Sequence, residues 1–185
     1  MSRQLPPNPN FDYLKKEAKE LLAELLPQQP GLSLAGAQRL LARDYGFDSW
    51  AALKTRVLEA RGRALSGTWR VNLAKSRQSP ANLFRDATLE FTVSGGSVTI
   101  ADVVVDENGR TNRNSNTLSA DGVVRPQQHG YALTSRWVTP RHLRAAMTKD
   151  GESRGHVDYV VARDRQTMTL TTPDSVIVFD RVRGS

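Results

Sequence analysis

The chain contains no cysteine, only three histidines and few aromatic residues. Without cysteine there is no disulfide framework, thiolate metal site or cysteine nucleophile, which excludes zinc ribbons, thiol hydrolases and dithiol redox motifs. No stretch approaches the roughly 18 consecutive apolar residues of a membrane span, and Met1-Ser2-Arg3-Gln4-Leu5-Pro6-Pro7 lacks the apolar core of a secretion signal. A cytoplasmic address without a membrane partner is therefore expected. His129, His142 and His156 fall on separate segments, and none belongs to an HExxH or HxH pair that would fix a metal. A Gly-x-Ser-x-Gly elbow, a P-loop and a Gly-x-Gly-x-x-Gly turn are missing as well. Any chemistry must come from dispersed His, carboxylate, hydroxyl and Arg groups.

What the chain does have is enough apolar material to fold: 38% apolar and 24% charged residues over 185 positions, a size that fits one or two domains. Its net charge of +7 brings nucleic acid or another polyanion into consideration. The charge is spread, however, with +3 over residues 1–65 and +4 over 66–185, and no block of five basic residues occurs. Carboxylates intervene, as in Lys15-Lys16-Glu17 and Arg163-Asp164-Arg165, so a solvated basic surface is the favoured reading.

Apolar residues repeat with helical spacing from Phe11 to Leu65 and then alternate from Gly67 to Arg183. This change predicts two domains, 1–65 and 66–185, joined at Arg61 to Ser66. In the first, Pro6-Pro7-Asn8-Pro9-Asn10 leads into a helix carrying Phe11, Leu14, Ala18, Leu21, Leu22 and Leu25, stopped at Pro27. Ser33 caps a second helix with Leu34, Ala37, Leu40 and Leu41, ending near Gly46; Asp48 or Ser49 caps a third through Trp50, Leu53, Val57 and Leu58. Helices this short need a shared core.

The second domain reads as strands: 68–73, 87–93, 97–105, 110–119, 123–127, 131–138, 141–148, 156–162, 167–172 and 175–183. Gly95-Gly96, Asn108-Gly109, Asp121-Gly122 and Asp150-Gly151 supply hairpin turns. The fold class is thus α+β, a three-helix module followed by an antiparallel up-and-down β-barrel of eight to ten strands, closed so that no edge is left bare. Such a barrel can enclose one small ligand.

Two stretches resemble known families. Lys16 to Leu22 followed by Ala37 to Lys54 is similar to a helical segment that precedes the repeats of some bacterial ankyrin-repeat proteins; no 33-residue self-similarity follows here, so the repeats' partner role does not transfer. The same helices also resemble a helix-turn-helix, in which Trp50 to Arg56 would enter the major groove and Lys54 and Arg56 would meet the DNA; the alternative makes Trp50 and Leu53 core residues. In the second domain, Gly67-Thr68-Trp69 opening the first strand, with Arg181 or Arg183 on the last, resembles the lipocalin and calycin pattern. That resemblance implies a guanidinium packed across the Trp69 indole, closing one end of a barrel through burial and a cation–π contact. Gly67 to Ser76, Gln166 to Thr172 and Val178-Phe179-Asp180-Arg181 are similar to bacterial lipocalin-like proteins.

With Trp69 inward, Val71 and Leu73 follow, and matching rows run through Leu89, Phe91 and Val93, then Val98 and Ile100. Tyr131, Leu133, Ser135 and Trp137 form the next row, Leu143, Ala145 and Met147 another, with Tyr159, Val161, Met168 and Leu170 completing the wall. Phe91, Tyr131, Leu133, Trp137, Met147 and Tyr159 are the expected ligand contacts, although a packed core would give the same pattern. Thr111 to Thr117 is polar on both faces: Arg113 or Asn114 could offer a donor to a carboxylate, lactone or amide head group, or the segment is an edge strand beside a gap. For hydrolysis of a small ester or lactone, His156 with Asp158 or Glu90 and a hydroxyl such as Ser135 is the set available. Asp102, Asp106, Glu107 and Asn108 could hold calcium through oxygen ligands, but lack the spacing of a twelve-residue loop. No other cofactor is expected. Binding of a small hydrophobic or amphiphilic molecule is the leading reading, with hydrolysis and a ligand-responsive DNA-binding regulator as alternatives.

Overall fold

The computed structural model describes residues 3–6, 9, 11–94 and 96–182, so Pro7, Asn8, Asn10, Gly95 and Arg183 lie outside the described residues. The chain divides into two compact units, Met1–Arg61 and Gly62–Ser185. The second therefore starts ahead of the periodicity change, because Ala64 and Leu65 are buried and their carbonyls serve the barrel.

The first unit holds α1 (Phe11–Leu25), α2 (Leu34–Asp44) and α3, which spans Trp50–Gly62. Ser33 accepts the Gly36 N–H at 3.2 Å and Ser49 accepts that of Ala52 at 3.1 Å, each satisfying an orphan donor of a first turn. Leu14, Ala42, Leu53 and Val57 form the core, with Phe11, Tyr45, Phe47 and Trp50 packed around it. Leu53 is fully buried and the Trp50 ring lies 5.2 Å from that of Phe11, so this face of α3 is engaged inside the unit. Among the described residues no helix is long and apolar enough to cross a membrane.

The second unit is a ten-stranded antiparallel meander: β1 (Gly67–Val71), β2 (Phe84–Ser94), β3 (Ser97–Asp106), β4 (Thr111–Ser119), β5 (Arg125–Pro126), β6 (Tyr131–Thr139), β7 (His142–Lys149), β8 (Glu152–Val161), β9 (Thr167–Thr171) and β10 (Val176–Arg181). Apart from β4 and β5, strands adjacent in sequence pair with one another, and β1 also pairs with β10, bringing the two ends of this unit together with Trp69 opposite Arg181. The sheet edges, β4 and β5, follow one another in the chain. The segment after β4 bonds to β6: Gly122 N–H to the Ser135 carbonyl at 2.8 Å, and Ser135 Oγ to the Ser119 carbonyl at 2.9 Å. These bonds roll the sheet toward closure.

Two expected strands are shorter than alternation implies. The first stops at Val71, because Asn72 accepts the Lys75 N–H and starts a tight 3₁₀ turn, Leu73–Lys75. Leu73 is consequently 38% exposed and does not face inward. The strand expected over 123–127 shrinks to Arg125–Pro126, since proline has no N–H to extend a ladder. Seven successive residues of β4, Thr111 to Thr117, are exposed, as suits an edge without a partner strand on its far side.

Candidate ligand-binding cavity

Cross-strand register decides which side chains face inward. Trp69 stands opposite Leu89, Leu89 opposite Asp102, and Asp102 opposite Asn114, so these four share the inner face. At one end of the barrel Trp69 is fully buried and donates its indole N–H to the Leu65 carbonyl at 2.8 Å. The Arg181 guanidinium lies over that ring, 4.1 Å from its centroid, and donates to the carbonyls of Ala64, Ser66 and Arg165. Burial pulls the Arg181 pKa below its usual value, with Arg165 adding a smaller like-charge contribution. Three carbonyl dipoles and an aromatic face replace its lost water.

Gly67 sets the entry to this closure. Its φ is +114°, and a β-carbon there would sit 3.0 Å from Arg181 Nη1. Gly67→Ala is expected to cost about 1–3 kcal/mol through backbone strain. Urea unfolding checks this, and an unchanged midpoint would show that the position relaxes freely.

Inside the closed end the barrel is hollow. A cavity of about 690 Å³ is walled by apolar side chains that include Leu89, Ile100, Leu133, Leu170, Ile177 and Phe179. Polar members of the lining include Asp102, Asn116, Gln127, Thr172, Asp174 and Ser175. Asp102 accepts a hydrogen bond from Asn114 Nδ2 at 3.1 Å. Burial, with a further contribution from the nearby Asp102 charge, pushes the Tyr159 hydroxyl up to about 12, so the phenol keeps its proton at neutral pH.

Of the seven expected ligand contacts, Leu133 and Tyr159 line this cavity. Phe91 stands behind it, buried and edge-on to Tyr159 with ring centroids 5.3 Å apart. Trp137 is buried opposite the fully buried Leu143, in packing rather than on the wall, and its indole N–H has no acceptor among the described residues. Tyr131 is half-buried with Lys149 Nζ 5.3 Å from its ring centroid, away from the lining. Met147 stays in phase with the inward Leu133 opposite it, yet is 42% exposed, with a glycine, Gly155 (φ +121°), as its neighbour on β8. It borders a smaller pocket of about 330 Å³ with Arg154 and His156.

Arg113 pairs with Val103, one step out of phase with Asp102 and Val104, so it lies on the outer face and supplies no donor to the cavity. At this level Asn114, the other expected donor, and Asp102 opposite it turn inward, and Asp102 is the one that lines the cavity. Its signal was the i, i+2 run Val98, Ile100, Asp102, Val104, which is hidden when Asp102 is grouped with the turn that follows. That turn is an ordinary hairpin: Asp106 Oδ1 accepts the Asn108 and Arg110 N–H groups at 2.9 and 2.8 Å. That turn engages Asp106 Oδ1, and among the described residues no group of three or more His, Cys, Asp or Glu side chains is placed to hold a metal ion.

The hydrolytic set is also dispersed. Ser135 stands opposite Ala145 and faces inward, whereas His156 and Asp158 alternate with the inward Val157 and Tyr159 and so face outward. Ser135 Oγ spends its proton on the Ser119 carbonyl. Asp158 is only 7% exposed, gripped by Arg144 through bonds of 2.7 and 2.8 Å and by His142 at 2.6 Å, with His156 3.5 Å away. The Arg144 hydrogen bond, helped by His142 and opposed by burial, holds its carboxyl at a pKa of about 2. A carboxylate that neutralised is a poor base.

No family model matches the chain, and no curated protein sequence matches it. Among solved structures, the chain is similar to the fluorescent protein UnaG, at 16% identity over 65% of this chain and 99% of that one, with a TM-score of 0.46. A variant of the REP1-NXSQ fatty acid transporter matches at 16% identity over 64% and 98% of the two chains, with a TM-score of 0.45. Lipid binding protein 8 from Caenorhabditis elegans matches at 12% identity over 65% and 97%, with a TM-score of 0.44. Similarity this distant concerns the course of the chain, and the cavity itself is what bears on function.

Proposed function

We propose that the protein is a lipocalin-like binding protein that holds a small hydrophobic or amphiphilic molecule inside its barrel. The cavity of about 690 Å³ carries this reading. Protein interiors are packed with few voids larger than a water molecule, and ligand pockets run to about 300–1,000 Å³ with mostly apolar walls. The resemblance of Gly67-Thr68-Trp69 and Val178-Phe179-Asp180-Arg181 to bacterial lipocalin-like proteins supports the same assignment.

Magnitudes indicate what such a cavity can do. Each buried methylene contributes about 0.8 kcal/mol, so a ten-carbon chain gains about 8 kcal/mol. Association subtracts at least about 4 kcal/mol, which leaves alkyl burial by itself near the millimolar range. Useful affinity therefore needs the polar points of the wall.

Titration with the neutral apolar dye Nile red tests the proposal. Saturable one-to-one fluorescence enhancement and a raised melting temperature are expected, since the dye binds the folded state. Leu170, between Tyr159 and Ile177 on the inner face, is the position at which to fill the space. Leu170→Trp should abolish binding with little change in the melting temperature of the free protein, because the added indole enters a void. Equal binding by the variant, or no saturable binding by the parent chain, contradicts the assignment.

A further inference from the structure

The sign of the cavity's charge is opposite to that of the chain. The protein carries +7, yet among the described residues lining the cavity there is no Lys, Arg or His. The charged members of the lining are Asp102 and Asp174. Asp174, in the turn between β9 and β10, accepts the Thr172 hydroxyl at 2.9 Å and is held on its own turn. Asp102 is placed differently, in the middle of β3 between Leu89 on β2 and Asn114 on β4.

A carboxylate has about four acceptor positions. Among the described residues the Asn114 amide is the side-chain donor to Asp102. The remaining acceptor capacity is on the cavity side, where the other walls are largely apolar and a cationic donor would form a charge-assisted bond. Tyr159 lines the same space, and the edge-on contact with Phe91 steadies its ring. The electron-rich face of its ring suits a cation. A fatty-acid carboxylate entering here would meet a like charge with no lining cation to offset it.

We propose that the physiological ligand is an amphiphilic amine whose apolar body fills the cavity and whose protonated nitrogen donates to Asp102 beside Tyr159. This narrows the binding function assigned above and rests on it. It also reverses the expectation attached to Arg113 or Asn114, of a carboxylate, lactone or amide head group: the cavity selects a cationic one.

Three probes of equal chain length separate the terms: decylamine, decanol and decanoate, each titrated calorimetrically into the full chain at neutral pH below its micellar concentration. Decylamine is expected to bind about tenfold tighter than decanol, the ratio that a charge-assisted hydrogen bond provides, with decanoate weakest. Asp102→Asn keeps the shape of the side chain and should erase the advantage of decylamine over decanol, while an unchanged far-ultraviolet circular dichroism spectrum reports that the variant is folded. Decanoate binding tightest, or an amine-to-alcohol ratio unaltered by Asp102→Asn, overturns the amine proposal and leaves hydrophobic binding standing. Absence of saturable binding by all three, together with absence of Nile red binding, overturns both.

Discussion

Trp69→Ala should lower the stability of the barrel by about 4 kcal/mol, the usual range when a fully buried large aromatic is truncated. The indole is completely excluded from solvent and satisfies the Leu65 carbonyl. Its removal opens a cavity beneath Arg181 and takes away the aromatic face that partly replaces the water of that guanidinium. The loss therefore combines transfer, cavity and electrostatic contributions. Urea unfolding followed by the far-ultraviolet circular dichroism of the β-sheet measures it. Arg181→Met is the companion variant: it keeps an apolar cover over the ring and abandons the bonds to Ala64, Ser66 and Arg165, so a smaller loss of about 1–2 kcal/mol is expected. A Trp69→Ala loss under about 1 kcal/mol would mean that this end of the barrel is not a closure but a passive lid.

The parts of the fold governed by local rules were legible in the sequence. Alternation marked the strands because each wall residue is followed by a solvent-facing one, and the Ser33 cap is a local hydrogen bond. The meander followed from short turns, which allow little besides antiparallel neighbours. The inner face was legible for the same reason: Leu89, Ile100, Leu133, Ala145, Tyr159 and Leu170 all fall on the expected rows and line the cavity.

What alternation cannot supply is depth along the strand. Leu133 and Trp137 share a face of β6, yet one walls the cavity and the other is packed away from it, a distinction set by register against distant strands. Met147 makes the same point: it keeps the inward phase of Leu133 opposite it, yet lies 42% exposed. Asp102 was missed for a different reason. A carboxylate among β-branched residues reads as the start of a turn, because burying a charge is normally prohibitive, and positions that break the apolar rule are where binding sites are built.

The cluster around Asp158 makes the acid limb of the stability curve predictable. Its carboxyl is depressed from 3.8 to about 2, chiefly by the Arg144 hydrogen bond. A depressed folded-state pKa means that the unfolded chain binds the proton more readily, so the stabilisation is present in full above about pH 4 and disappears as the pH falls through about 2. The shift corresponds to about 2 kcal/mol. Asp158→Asn preserves volume and removes the anion, leaving Arg144, His142 and His156 gathered around a neutral amide. At pH 7 the variant should be less stable by about 2 kcal/mol, and the deficit should shrink toward zero near pH 2. Unfolding free energies measured across pH 2 to 7 would then converge at the acid end, the wild-type curve falling more steeply below about pH 4. Parallel curves would show that the grip on Asp158 adds nothing to folding. A deficit that persists unchanged into acid would assign the loss to packing around the amide and not to the missing charge.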